Sequence, residues 1–548
     1  MDFYKQFVIE KFDDEGTLTE FDVKAPDSFN FAYDVVDKIA EMEPNRRAMM
    51  WCNEAGEERE FSFDEMRKLS NKAANLFTTY GIKKGDKVML ILKRHYQFWI
   101  AILGLHKIGA VAIPATNLLT EKDIVYRVES ASVTAIVSTA DGDIPDKILS
   151  AQQETGDLFR KFIVRGEKEG FISFDKELEK CSDTFTRIES HKNDTMILYF
   201  TSGTTGYPKM VIHDHMYSLA HILTAKYWHN TDHDGLHLTV SETGWAKAAW
   251  GKLYGQWFVG TGIFVYDFDK FVPTDLLKMI EKYKISTFCA PPTIFRFFIK
   301  EGIGNYDLSS LTYATVAGEA LNHEVYKQFL ETTGVRLMEG FGQTETTLCI
   351  ANLVGAEIKP GSMGKPTPLY DIRLVDQNDN VVPQGEVGEI VIKPKGSKQQ
   401  AGIFQGYFRD PVLTEMVWRN GLYHTGDTAT MDEDGFVWYV GRTDDIIKSS
   451  GYRIGPFEIE SVLMEHPSVL ECAITGVPDE VRGQIVKATI ILTSQYKASD
   501  ELAEELKEYV KKSTAPYKYP RIIEFVEELP KTISGKIRRV EIRSKSEK

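Results

Sequence analysis

Polar and apolar positions along the chain alternate with two different periods. Met66, Leu69, Ala73, Leu76 and Phe77 recur at three- and four-residue steps, the spacing of one helix face, and Gly81 closes the segment. Ser62-Phe-Asp-Glu65, just ahead of them, has the form of a capping box. Residues 88–92 are a short apolar run that reads as a strand. Residues 96–107 read as a helix ending at Gly109, and 110–113 as a strand stopped by Pro114. Helical stretches near 34–43 and 122–129 and a strand at 134–138 continue the pattern, followed by a charged, variable-looking stretch to Asp194. Strands are predicted again at 196–200, 285–290, 312–316 and 335–338. This alternation of strand and helix is the sign of βαβ units and a parallel sheet.

From about Asp371 the chain turns β-rich and turn-rich. After Thr443-Asp-Asp445 the composition changes again. A helix is predicted at 456–465, strands at 469–477 and 486–493, a helix at 499–512 and a strand at 522–526. The expected fold class is α/β. A large N-terminal domain, 1–443, carries parallel α/β sheets and a β-rich subdomain, and a small α+β domain, 444–548, follows with its boundary at Asp444.

Composition narrows the partners. The 548 residues carry a formal net charge of −15, which argues against a nucleic-acid or anionic-membrane surface. The five cysteines, Cys52, Cys181, Cys289, Cys349 and Cys472, are scattered and lack C-x-x-C spacing, so neither a disulfide framework nor a zinc site is expected. No run of 18 uncharged apolar residues predicts a membrane span. The N-terminus reads as neither a signal nor a transit peptide, and a cytoplasmic location is expected.

The candidate chemistry sits at the ends of the predicted strands, where open α/β sheets bind ligands. The strand at 196–200 empties into Thr201, Ser202, Gly203, Thr204, Thr205 and Gly206, with Lys209 close behind and a helix-like stretch from about Asp214. Hydroxyls, bare N–H groups and a mobile cation in that order can wrap a polyphosphate. The string is not a Walker loop, because its lysine follows Tyr207-Pro208 and precedes Met210. Glu345, after Thr344 in a glycine-rich turn, is a hard oxygen ligand suited to Mg²⁺. Asp427 is a candidate for a ribose diol, and Lys536, in a basic loop, for developing charge at an α-phosphate. Trp245, Lys247 and Trp250 are acyl-pocket candidates, since substrate pockets join apolar walls to few polar groups.

Taken together and in order, these segments resemble the acyl-adenylate-forming superfamily. The motifs run from Tyr199 to Arg539, with a weaker match over 61–113. The resemblance implies the use of ATP, Mg²⁺ and coenzyme A. It implies that 201–209 form the phosphate loop and that Gly318, Glu319 and Ala320 border adenine. Glu339, Gly340 and Phe341 would form the opposite wall, with Phe341 stacking where many relatives have tyrosine. Thr344 and Glu345 would meet phosphate and metal, and Asp427 and Arg442 the ribose. Asp444 would be the hinge of a mobile C-terminal domain, and Ser450, Gly451, Tyr452 and Arg453 would face the site after rotation. Lys536 would catalyse adenylation, and His213 would lie near the acyl pocket.

Within the superfamily, residues 241–247, 288–293, 451–460 and 515–521 are most similar to medium-chain acyl-CoA synthetases. Animal members carry a mitochondrial leader, and a prokaryotic cytosolic enzyme is expected here instead. The expected reaction is activation of a short- or medium-chain, branched or aromatic acid. Transfer to a carrier protein, or a non-catalytic nucleotide-binding regulator on the same fold, stays open as an alternative. The sequence does not reveal the oligomeric state; a homodimer is an open expectation.

Overall fold

The computed structural model describes every residue except 1, 157–158, 202–206, 320, 396–399, 451, 533–535 and 547–548. Two large sheets form the body. One has eight strands, ordered Gly406–Tyr407, Lys209–Asp214, Thr195–Thr201, Val111–Pro114, Lys87–Ile91, Val133–Thr139, Arg160–Val164 and Ile172–Ser173. Its last six strands run parallel, and the first two join antiparallel. The other has nine strands, with Leu337–Phe341, Tyr313–Val316, Thr287–Ala290, Leu236–Thr239, Gly262–Asp267 and Arg47–Asn53 as its parallel centre. Helices cover their faces, so central strands such as Lys87–Ile91 and Gly262–Asp267 bury nearly every residue.

Local chemistry explains the helix ends. The helix Phe63–Thr79 starts at Ser62, whose hydroxyl accepts from the Glu65 N–H. Only half of the expected capping box forms, because the Glu65 carboxylate turns to Arg59 at 2.6 Å instead. A complete box appears at Thr120 and Asp123, opening the helix Glu121–Ala131. Gly109 closes the helix Gln97–Ile108 at φ 70°, a left-handed cap that glycine adopts without penalty.

Three readings change. The stretch before Asp194 is not irregular: it holds the helix Ile144–Thr155, the strand Arg160–Val164 and the helix Phe174–Lys180. Its buried residues are few and its surface charged, which hid the period. Pro114 lies inside its strand, not after it. The segment after residues 202–206 is a strand, Lys209–Asp214, paired antiparallel with Thr195–Thr201, and the helix begins only at Met216.

A third sheet joins Asp371–Val375, Gly388–Lys393, Leu422–Met431, Trp418–Arg419 and Val437–Arg442, all antiparallel. The last sheet holds Ile447–Ser449, Tyr452–Ile454, Val469–Asp479, Gly483–Leu492 and Ile522–Phe525. It packs the helices Pro456–Glu465 and Asp500–Ser513 into a core of its own, from Ile447 to Val510. It packs on the body through the helix Pro456–Glu465, where Phe457 meets Tyr439 with ring centroids 6.0 Å apart. Asn322 Nδ2 donates to Ser461 O at 3.1 Å, and Arg296 Nη1 lies 3.3 Å from Met464 Sδ.

Candidate active site

The sheet ends and the third sheet converge on one face. Thr201 and Lys209, which flank the expected phosphate loop, are cross-strand partners in an antiparallel pair. Ser202, Gly203, Thr204, Thr205 and Gly206 lie outside the described residues, as do Ala320 and Gly451. Among the described residues a strand, Lys209–Asp214, comes next, and the helix starts at Met216. Any phosphate held there meets N–H groups, hydroxyls and the Lys209 ammonium, not a helix dipole. Lys209 Nζ lies 5.2 Å from the centroid of the Tyr407 ring, and Tyr407 OH donates to Glu345 Oε1 at 2.8 Å. Burial, then the neighbouring Glu345 charge, raises the Tyr407 phenol, so it keeps its proton and donates. Tyr407 thus ties the hairpin to Glu345. The sequence gives no sign of this, since Tyr407 stands in an aromatic stretch outside any motif.

Glu339, Gly340 and Phe341 end the strand Leu337–Phe341, beside Val316 of the next strand. Two tryptophans explain the glycines around them. A Cβ on Gly340 would meet Trp228 at 2.6 Å, and one on Gly342 would meet Trp250 at 2.4 Å and Thr347 O at 2.3 Å. Trp228 also donates to Met338 O at 3.1 Å. Trp250, expected at the acyl pocket, is buried against this turn and against Trp228, with ring centroids 6.2 Å apart. Gly318, on the adjoining strand end, is exposed and holds φ 104°. Glu319 is exposed and accepts from Thr293 Oγ1 at 2.9 Å. Glu339 is buried. One of its oxygens accepts the Leu321 N–H at 3.2 Å, the other has no partner among the described residues, and burial pushes its carboxyl up to about 8.

Asp427 is the hub of a second cluster. It is 5% exposed and opposes Arg442 across the ladder, with Arg442 Nη1 at 3.3 Å from Oδ2. Tyr439 OH donates to Oδ1 at 3.1 Å, and Gln343 Nε2 donates to Oδ2. Tyr439 and Arg442 are three residues apart and would point to opposite faces of a regular strand. A bulge between Thr428 and Ala429 shifts the register, so both reach Asp427. Gln343 links the cluster onward, donating to Thr425 O at 2.8 Å and accepting from Tyr423 OH at 2.8 Å. Burial works against the Arg442 charge, but Asp427 and Asp444 outweigh it and its pKa rises. Burial raises the Asp427 carboxyl, and Arg442 opposes the rise. Phe341 joins here, its ring centroid 6.4 Å from that of Tyr439. Gln343 stood within the Gly-Gln-Thr-Glu string and could have been singled out. Tyr439 could not, because its role depends on the bulge.

Lys247 opens a short helical turn and donates from Nζ to Ala317 O at 2.7 Å. Trp245, two residues earlier, is half-buried in the same turn. His213 sits behind the site. It is fully buried, its ring stacks on Tyr217 with centroids 3.9 Å apart, and Nε2 donates to Thr344 O at 2.7 Å. Burial drops the imidazole to about 4, so it stays neutral. His213 therefore braces the Thr344-Glu345 turn from inside the sheet.

The C-terminal residues approach from the other side. Asp444 is exposed in the turn between Val437–Arg442 and Ile447–Ser449, 3.7 Å from Arg442 Nε. Lys536 is exposed on a tight turn in which its N–H donates to Thr532 Oγ1 at 3.1 Å and its carbonyl accepts from Thr532 N at 2.7 Å. Its charge bears on both Asp427 and Lys247, lowering the pKa of each. Arg453 is exposed on the strand Tyr452–Ile454, opposite Lys448. Glu345 fits a magnesium ligand: it is half-buried, its Tyr407 bond occupies one carboxylate oxygen, and the second is left for a metal that prefers carboxylate, phosphate and water.

Comparison with known proteins bears on the whole chain. Residues 36–408 match the AMP-binding enzyme family, and residues 458–536 match the AMP-binding enzyme C-terminal domain. The chain is 40% identical over 541 residues to "Acyl-coenzyme A synthetase ACSM3, mitochondrial" of Homo sapiens, covering 97% of this chain and 92% of that protein. Its fold is similar to the crystal structure of the anthranilate CoA ligase AuaEII in complex with anthranoyl-AMP, with a TM-score of 0.87 and 28% identity over 95% of this chain and 98% of that one. It is also similar to a benzoate CoA ligase from Burkholderia xenovorans LB400, with a TM-score of 0.83 and 25% identity over 94% and 100% of the two chains.

Proposed function

The chain belongs to the AMP-binding enzyme family and is an AMP-forming acyl-CoA synthetase, and from that premise we propose how its own residues carry the reaction. A carboxylate oxygen attacks the α-phosphorus of ATP and pyrophosphate leaves. The thiol of CoA then attacks the carbonyl carbon of the acyl-AMP, AMP departs and the thiol proton passes to solvent. No protein nucleophile is needed. The protein positions the reactants and stabilises charge.

The observation that carries this division of labour is the Asp427 cluster. A buried carboxylate pinned by Arg442, Tyr439 and Gln343 is preorganised to accept from a ribose diol beside the Phe341 ring. Phe341 and the exposed Gly318-Glu319 turn flank adenine. Lys209 and Thr201, with 202–206 between them, take the phosphates. Glu345 and Thr344 would hold Mg²⁺, which would screen the phosphate charge. Lys536 meets the charge developing at the α-phosphate, a role supported by its reach to both Asp427 and Lys247. His213 is a positioning residue behind Thr344.

The domain boundary lies at Asp444, and rotation about it brings Arg453 and its neighbours to the site for the CoA half-reaction. The separate hydrophobic core that follows Asp444, from Ile447 to Val510, supports that reading. The acid is short- or medium-chain, branched or aromatic, which the half-buried Trp245 and the aryl-CoA ligase neighbours support. The compartment is a reducing one, cytoplasmic in our reading: all five cysteines are free, and among the described residues no helix is long and apolar enough to cross a membrane. A homodimer is a further proposal, checked by light scattering. Pyrophosphate release with ATP and Mg²⁺ over acids from acetate to octanoate and benzoate, with and without CoA, tests the reading. A sharp optimum with CoA-dependent turnover is expected, and turnover with carrier protein but not with CoA would overturn it.

A further inference from the structure

Lys247 is an ammonium without a counter-ion. It is half-buried, and Nζ spends one of its three N–H bonds on Ala317 O at 2.7 Å. Among the described residues no carboxylate lies within ion-pair distance of it. Other partly buried cations are paired with carboxylates, Arg442 with Asp427, Arg539 with Glu460 and Lys93 with Asp141, whereas Lys247, like Lys252 on Ser241 O, meets a backbone carbonyl. Burial lowers the Lys247 pKa, the more distant Cys289 and Glu319 partly restore it, and Lys536 lowers it further. Such a charge is costly unless something anionic meets it.

The surroundings say what that is. A Cβ built on Gly318 would lie 3.7 Å from Nζ, and Gly318 is exposed, so the ammonium stands over an open strand end beside the expected adenine wall. Lys536, the group we assign to the reacting phosphate, is near enough for its charge to lower the Lys247 pKa. A cation at the far end of an acyl tail would be remote from Lys536. Lys247 is instead at the reacting end.

We propose that Lys247 docks the carboxylate of the acid substrate, holding it between two ammonium groups, its own and that of Lys536, before attack on ATP. This rests on the synthetase reading and sharpens it, moving Lys247 from the acyl wall to the carboxylate. An acid anion approaching ATP is repelled by the triphosphate. A resident cation offsets that repulsion in the ground state, while Lys536 acts on charge that develops later.

The test is steady-state kinetics of Lys247→Met, which keeps the stem, and Lys247→Gln, which keeps an N–H donor. Both are expected to raise KM for every acid on the panel by roughly 10- to 100-fold, the size of a lost charge-assisted hydrogen bond. KM for ATP and thioester formation from supplied acyl-AMP are expected to stay near wild type, and Lys247→Arg to restore part of the loss. An unchanged acid KM would overturn the proposal. So would a gain on longer aliphatic acids without loss on the preferred one, which would make Lys247 a tail wall. So would equal losses in acid and ATP KM, or in both variants' folding, which would make it structural. Wild-type protein silent over the whole panel would be a different failure, that of the synthetase reading itself.

Discussion

Asp427 is buried and held by Arg442, Tyr439 and Gln343 across three segments, whereas Lys536 is exposed, its N–H donating to Thr532 Oγ1 and its carbonyl accepting from Thr532 N. The first belongs to a packed sheet with a bulge built into it. The second is carried on a turn of a separate sheet with its own core. Groups that bind a reactant throughout the cycle can be prebuilt at the cost of burying charge. A group needed in one half-reaction is better carried on a part that can leave. The difference in burial therefore separates what our reading assigns to binding from what it assigns to timing.

The sharpest way to break that comparison is Lys536→Ala. Acyl-AMP formation is expected to fall by about 10²–10³-fold, the usual cost of losing one group aimed at developing charge, with thioester formation from supplied acyl-AMP largely kept. Equal loss in both half-reactions, measured by pyrophosphate release and by thiolysis, would erase the distinction.

Asp427→Asn comes next. It keeps one acceptor oxygen for Tyr439 but removes the charge beside Arg442 and sets an amide NH2 against the Gln343 and Arg442 donors, and KM for ATP is expected to rise by about 10-fold or more, with a lower melting temperature. Here both half-reactions suffer, because AMP is held in each. Gly342→Ala probes the packing beneath the clamp. Its Cβ would press on Trp250 and Thr347 O, and overpacking of that kind costs about 1–3 kcal/mol, read as a drop in melting temperature. A variant as stable as wild type would show that the turn yields.

The smallest effect concerns pH. Glu339 is raised to about 8 by burial, so its neutral form is the one the fold favours. The stability this gives is complete below the ordinary carboxylate range and is lost as pH rises through about 8. Glu339→Gln lacks that dependence. Its melting temperature is expected to gain on wild type progressively between pH 5 and 8 and to keep that gain above. Parallel profiles for the two proteins would remove Glu339 as the source.

Much of the fold was legible because periodicity and end signals are local. The helix Pro456–Glu465 coincides with its predicted span, and Gly109 ends its helix as its position implied. The helices before Asp194 were not, since charged surface residues outnumber the buried ones there. At the candidate site, Thr344, Glu345, Asp427 and Arg442 stand out by residue type and spacing, and the structure brings them to one face. Tyr407 and Tyr439 carry no such mark. A tyrosine is polar or apolar according to what it faces, and in both cases that is a carboxylate from a distant segment.

By itself the sequence determined the elements, their alternation, the family and the residue types at the strand ends, because these depend on neighbours a few positions apart. Only the tertiary structure decided that the strands flanking the phosphate loop pair antiparallel, that Trp250 supports a glycine turn, that His213 braces Thr344, and that Lys247 meets a carbonyl and, among the described residues, no carboxylate. Each of these depends on strand register or on burial. Both arise when segments hundreds of residues apart exclude water from one another, which no local pattern records.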